Sequence, residues 1–171
     1  WFAGSVKQGK TMTDSLDKED NKQPQPYVVD GMKYKMDGIG GNGLRRQDQF
    51  TQIAVVHLTN RHIEQFTSGH YDHHLVAISR DGKQLVMGVD RAENTDFEFR
   101  TPLYIVNIET KQETVLVDEA GYYGGATFSF DNRYIAYVGS DATYKNATHT
   151  QLYVYDTETK LTQNVTEMLD A

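Results

Sequence analysis

The sequence predicts an all-β fold assembled from repeated antiparallel strands, and three observations carry that expectation. The stretch Ser79-Arg80-Asp81-Gly82-Lys83-Gln84-Leu85-Val86-Met87 returns as Ser129-Phe130-Asp131-Asn132-Arg133-Tyr134-Ile135-Ala136-Tyr137, fifty positions further on (79 to 129). In each copy a short apolar strand enters Asp-Gly or Asp-Asn, dipeptides that tolerate positive φ in a tight hairpin turn, and leaves as a second apolar strand. A third strand then trails each hairpin, at residues 103–108 and 152–156, with an earlier relative at 53–58. A period of this size made only of short strands is the spacing of propeller blades. Together these features predict an incomplete β-propeller of about two and a half four-stranded antiparallel blades.

Taken in order, residues 1–7 read as a strand of a truncated blade. Trp1-Phe2-Ala3-Gly4-Ser5 lays onto residues 134–140, where an apolar strand also ends in Gly-Ser. This is the second strand of a blade without its innermost one, so an open backbone edge and a solvent-facing Trp1-Phe2 are expected. The N-terminus has neither an initiator Met nor the plan of a signal peptide, and the chain reads as part of a longer polypeptide.

Residues 8–49 read as a polar insertion and a lead-in strand. Only Met12 and Leu16 are apolar between 7 and 25, too few to anchor a core, so an exposed excursion open to proteases is expected over 8–26. Met32-Lys33-Tyr34-Lys35-Met36 alternates as a half-buried strand does and stops at Asp37-Gly38. The cluster Gly38-Ile39-Gly40-Gly41-Asn42-Gly43 has no Lys-Ser/Thr after it and opens no helix, so it reads as a turn rather than a phosphate loop.

Residues 50–72 supply the outer strands of the truncated blade, turning at Thr59-Asn60 and breaking at Ser68-Gly69. Residues 73–118 form the next blade, with a turn at Glu109-Thr110-Lys111. Residues 119–171 form the last blade and the C-terminal end, turning at Thr157-Glu158-Thr159-Lys160.

Bulk properties narrow the function classes. The 171 residues suit one domain or a large part of one. With 24 acidic and 17 basic residues, a net charge of −7 and no local basic patch, nucleic acid is not an expected partner. The absence of cysteine excludes disulfides, thiolate metal sites and a thiol nucleophile. No run is long and apolar enough for a bilayer, so no membrane partner is expected. The expected location is cytoplasmic, with no cofactor.

Few residues suggest chemistry. His70-Tyr71-Asp72-His73-His74 holds metal-ligating side chains, but on a strand His73 and His74 point to opposite faces. They read as loop histidines beside a central tunnel, with no metal. His57 and His62 flank a turn and read as strand-surface residues. Asp81, Asp131 and Asp90-Arg91-Ala92-Glu93-Asn94 have calcium-ligand character, yet turn geometry accounts for the two hairpin aspartates. Tyr122-Tyr123-Gly124-Gly125 stands at the mouth of an innermost strand, where the tyrosines either stack on a passing peptide or cap the blade edge. The candidates for a substrate path are thus His73, His74, Tyr122 and Tyr123. Asn146-Ala147-Thr148 and Asn164-Val165-Thr166 fit the glycosylation pattern, which short sequences match by chance.

The Ser-x-Asp-Gly/Asn-Lys/Arg hairpins, the Leu103-Tyr104-Ile105-Val106-Asn107 and Leu152-Tyr153-Val154-Tyr155-Asp156 strands, and Gln65-Phe66-Thr67-Ser68-Gly69 resemble the propeller repeats of the prolyl oligopeptidase family of serine peptidases. Tyr34-Lys35-Met36-Asp37-Gly38-Ile39-Gly40, followed by Gln52-Ile53-Ala54-Val55-Val56, is similar to the acylaminoacyl-peptidase-like branch. The hairpins are also shared with TolB-type propellers and some propeller lyases. The sequence departs from the family at Ala77-Ile78 and Thr127-Phe128, where Trp is frequent, and at Arg80 and Phe130, which replace the usual Pro.

The resemblance implies a propeller seated on an α/β-hydrolase domain of the same parent chain, restricting entry by size, with peptide substrate in transit. Other copies are further partners through open blade edges. The chain has no Gly-x-Ser-x-Gly elbow, so no catalytic residue is expected in it. The alternative is a TolB-type binding module for protein partners.

Overall fold

The computed structural model describes residues 1–14, 49–92, 99–144 and 148–167. Among them are eleven strands and no α-helix, and the chain divides into two compact units, 1–73 and 74–171. The lead-in strand at 32–36, the glycine cluster at 38–43, most of the insertion, Glu93-Asn94 and Asn146-Ala147 lie outside the described residues.

The first unit holds β1 (Phe2–Lys7), β2 (Gln49–His57) and β3 (His62–Gln65), antiparallel in the order β1-β2-β3. Phe2 lies opposite Ala54 and Lys7 opposite Gln49. This register brings Val6 and Ala54 into one small apolar cluster, with Phe2 and Ile63 against it. Met12 completes the cluster. It is only 7% exposed and its N–H donates to Gln65 Oε1 at 2.9 Å. The expectation that the insertion lacks apolar anchors is therefore corrected for its described start, which is fastened by one buried thioether and one hydrogen bond.

Among the described residues β1 has a sheet neighbour on one side only. The expectation that Trp1 and Phe2 face solvent is also corrected. Both are half-buried, and the Trp1 ring meets Phe66 edge-on at 5.1 Å.

The second unit holds two four-stranded antiparallel meanders. One runs β4 (His74–Ile78), β5 (Gln84–Gly88), β6 (Leu103–Asn107), β7 (Glu113–Val117). The other runs β8 (Gly121–Phe128), β9 (Tyr134–Asp141), β10 (Gln151–Asp156), β11 (Thr162–Asn164). Each is a propeller blade, and the fold is an all-β, incomplete propeller. The first strand of each blade has a bulge, between Leu75 and Ala77 and between Gly124 and Thr127. On the second strand of each blade, Leu85 and Val86 of β5 and Ile135 of β9 are wholly buried. Each such side chain contributes roughly 1.5–3 kcal/mol of apolar burial.

The repeated hairpins work differently from a two-residue turn. Gly82 (φ 68°) and Asn132 (φ 61°) carry positive φ, but the preceding aspartates do not. Asp81 instead accepts hydrogen bonds from Ser79 Oγ at 2.8 Å and the Lys83 N–H at 3.1 Å. Asp131 does the same with Ser129 Oγ and the Arg133 N–H. These hydrogen bonds, led by those from the serines, hold both carboxyls below their usual range. The serine is thus the pivot of each turn, because it also accepts from the N–H of Gln84 or Tyr134.

A second turn type closes the outer strands with Arg61 (φ 57°), Lys111 (φ 58°) and Lys160 (φ 62°) in the left-handed region. In the two later turns Asn107 or Asp156 caps the N–H groups of the following residues.

Candidate functional site

The histidine run is dispersed by the local structure. His70 is exposed, its ring stacked on Phe50 at 5.6 Å. Asp72 Oδ1 accepts from the Thr51 N–H at 2.7 Å. His73 is 3% exposed, and its Nδ1–H donates to the Tyr71 carbonyl at 3.0 Å. His74 opens β4 and is exposed.

What organises this segment is a residue the sequence does not advertise. Gln52 is 2% exposed; its Nε2 donates to the carbonyls of Gly69 and Tyr71, while its Oε1 accepts from Thr67 Oγ1 at 2.9 Å. A buried amide with every partner supplied is costly to replace, which is why the loop before β4 follows one path. Among the described residues no three His, Asp or Glu side chains converge to hold a metal ion.

The tyrosine pair separates as neighbours on a strand must. Tyr122 is exposed and meets Phe99 edge-on at 6.0 Å. Tyr123 turns inward, 8% exposed, where its ring meets Tyr137 and Tyr153 at 6.3 and 6.2 Å. Burial, followed by the charge of Glu119, pushes the Tyr123 hydroxyl up to about 12. Burial raises Tyr137 and Tyr153 as well. Thr101 fastens the backbone at this point, its Oγ accepting from the Tyr123 N–H and donating to the Tyr123 carbonyl. Tyr123 is accordingly a core residue, and only Tyr122 offers an open ring.

A concave feature of the second unit lies between its blades. β4 and β8 are edge strands of their sheets, lie against one another, and are not paired through their backbones. Between them is a cleft of about 350 Å³ with walls formed by Val76, Ala77 and Ile78 on β4 and Ala126, Thr127 and Phe128 on β8. At its turn end stand Arg80, Ser129 and Phe130.

Arg80 and Phe130 hold equivalent places in the two repeats (80 to 130), and the fold brings them together. The guanidinium carbon lies 4.1 Å from the centroid of the Phe130 ring. The Asn132 side chain helps to fix this arrangement, its Oδ1 accepting from the Arg80 N–H at 2.9 Å. Arg80 and Phe130 thus form one feature, which depends on the contact between adjacent blades and not on either hairpin alone.

No protein-family model matches the chain. It is 32% identical over 166 residues, 97% of its length, to the uncharacterized peptidase YuxL of Bacillus subtilis, and it spans 24% of that protein. Among solved structures it is similar to TolB from Acinetobacter baumannii, with a TM-score of 0.52 and 17% identity over 71% of this chain and 27% of that one. It is also similar to the tricorn protease, with a TM-score of 0.51 and 21% identity over 67% of this chain and 11% of that one. At these identities the structural likeness is one of fold. The chain is thus an incomplete propeller whose sequence likeness runs to about a quarter of a peptidase-named protein.

Proposed function

We propose that this chain is the non-catalytic propeller part of a serine peptidase of the prolyl oligopeptidase family, in its acylaminoacyl-peptidase-like branch. It acts as a steric gate and as the docking surface for an α/β-hydrolase domain of the same parent chain. The observation that carries this reading is the 32% identity to a protein named as a peptidase, sustained over 97% of the chain. The absence of a Gly-x-Ser-x-Gly elbow assigns the chemistry to sequence outside these residues. A gate works by closure and exclusion, so its contact with substrate is limited to exposed side chains such as His74 and Tyr122. Other copies of the chain are further partners through the edge of β1 that has no sheet neighbour among the described residues.

Two measurements test the reading. The parent gene should encode a Gly-x-Ser-x-Gly elbow followed by Asp and His, and a fluorophosphonate probe should label the parent but not the 171-residue chain. A parent without the elbow, or labelling and acyl-peptide turnover by the chain alone, overturns it. The second reading is a TolB-type binding module, favoured by a TM-score of 0.52 that matches the tricorn value. A parent with no hydrolase domain and a stable protein partner would establish that alternative.

A further inference from the structure

We propose that the cleft between β4 and β8 is a binding site for the carboxylate end of an extended peptide, with Arg80 as the carboxylate receptor. Three features of the cleft point to this ligand. Its walls belong to two edge strands that do not pair with each other, and over 76–78 and 126–128 each strand has a sheet partner on one side only among the described residues. That is the chemistry by which proteins add an extended peptide to a sheet. Its lining is mostly polar, and the side chains of Val76, Ile78 and Phe128 add the apolar contacts that alternate side chains of such a segment would meet.

Its turn end holds a guanidinium with no carboxylate partner among the described residues, resting on a ring that is 77% exposed. Cation–π contact orients the guanidinium while leaving its N–H fork available for a bidentate carboxylate. The hairpin acids nearest in sequence do not compete. Asp81 and Asp131 are engaged by their own serines and backbone and are absent from the lining. A volume of about 350 Å³ stands at the small end of ligand sites, which suits two or three residues and a terminal carboxylate. A lysine at position 80 would supply charge without the fork. This inference stands whether or not a hydrolase domain accompanies the propeller.

The test uses the 171-residue chain and two probes in calorimetric titration, N-acetyl-Ala-Leu-Phe with a free carboxylate and the same peptide as its C-terminal amide. The free acid should bind at least about tenfold more tightly than the amide, with the difference shrinking as salt is added. Arg80→Gln should abolish the preference, Arg80→Lys should retain part of it, and Phe130→Ala should weaken both peptides. Lys83→Gln, a charge change on the same hairpin, should leave the preference intact. Melting curves of the two Arg80 variants separate loss of the receptor from loss of the fold. Equal affinity for acid and amide, no binding of either peptide, or an undiminished preference in a folded Arg80→Gln chain overturns the proposal.

Discussion

The two blades of the second unit have the same strand order, the same hairpin caps and a bulge at the same place in the first strand, yet they fill their interiors differently. Around β5 and β6 the core is aliphatic, with Leu85, Val86, Met87, Leu103 and Ile105 all buried. Around β9 and β10 it is aromatic, with Tyr137 and Tyr155 buried and the Tyr137 and Tyr153 rings stacked at 5.2 Å. The exchange is local and compensated. The place of Val89 in one repeat is taken by Gly139 in the next (89 to 139), and a Cβ on Gly139 would collide with the Tyr123 ring. Blade topology is therefore set by strands and turns, while interior volume is balanced pair by pair.

The sharpest way to break this comparison is to put a side chain back on Gly139. Gly139→Ala forces the Tyr123 ring and the Tyr122 carbonyl to move and should cost about 3 kcal/mol in denaturant unfolding. Tyr123→Ala alone leaves a cavity and should cost about 3 kcal/mol as well. The double variant should be less damaged than the sum by at least about 1 kcal/mol, because the two groups compete for one volume. Additive losses would show that Gly139 is required by its backbone and not by the ring above it.

A smaller effect distinguishes the aromatic blade by pH. Tyr123 is raised to about 12 in the folded chain, against about 10 in an unfolded one. Its contribution is therefore complete below pH 10 and is lost as pH rises from about 10 to about 12, because there the unfolded state releases its proton first. Tyr137 and Tyr153 shift in the same direction and add to the loss. Thermal melts between pH 9 and pH 12, read against Tyr123→Phe, should show a shallower alkaline decline in the variant. An identical decline would remove Tyr123 from this account.

The smallest effect lies in the turns, where two left-handed residues of the same blade, in its β8–β9 and β10–β11 turns, are used differently. Lys160 adopts φ 62° in an exposed turn, a conformation that costs a side-chain-bearing residue about 1–2 kcal/mol. Lys160→Gly should raise stability by about 0.5–1 kcal/mol after the added freedom of the unfolded chain is counted. Asn132 has the same backbone shape, but its side chain accepts from the Arg80 N–H in the neighbouring blade. Asn132→Gly should bring no gain, because the lost hydrogen bond offsets the relieved strain. Equal stabilisation by both substitutions would show that the Asn132 contact contributes nothing.

Legibility followed the range of the interaction that fixes each feature. The strands and hairpins were readable from alternation and from Ser-x-Asp-Gly/Asn, since a turn is closed within six residues, from Ser79 to Gln84. His73 lies in the loop before β4 and is buried there, while His74 opens the strand and is exposed, so strand alternation does not set their facing. Tyr122 and Tyr123 are neighbours on β8, and the period of two sends their rings to opposite faces. Lys111 and Lys160 carry no glycine or asparagine signal, and their turns were placed by position alone. Met12 in its cluster could not be read locally, because the pockets that receive a lone apolar residue belong to distant strands.

By itself the sequence determined the repeat, the all-β class, the four-strand blades and the absence of a nucleophile elbow. All of these rest on residue types and spacings within fifty positions, where backbone preference and apolar alternation act. Only the tertiary structure decided that Gln52 satisfies the loop before β4, that Tyr123 belongs to the core, and that Arg80 rests on Phe130 beside a cleft. Each of those outcomes depends on which side chain meets which across separate strands. Strand pairing and blade contact set those meetings, and no single segment encodes the distance between two that are fifty residues apart.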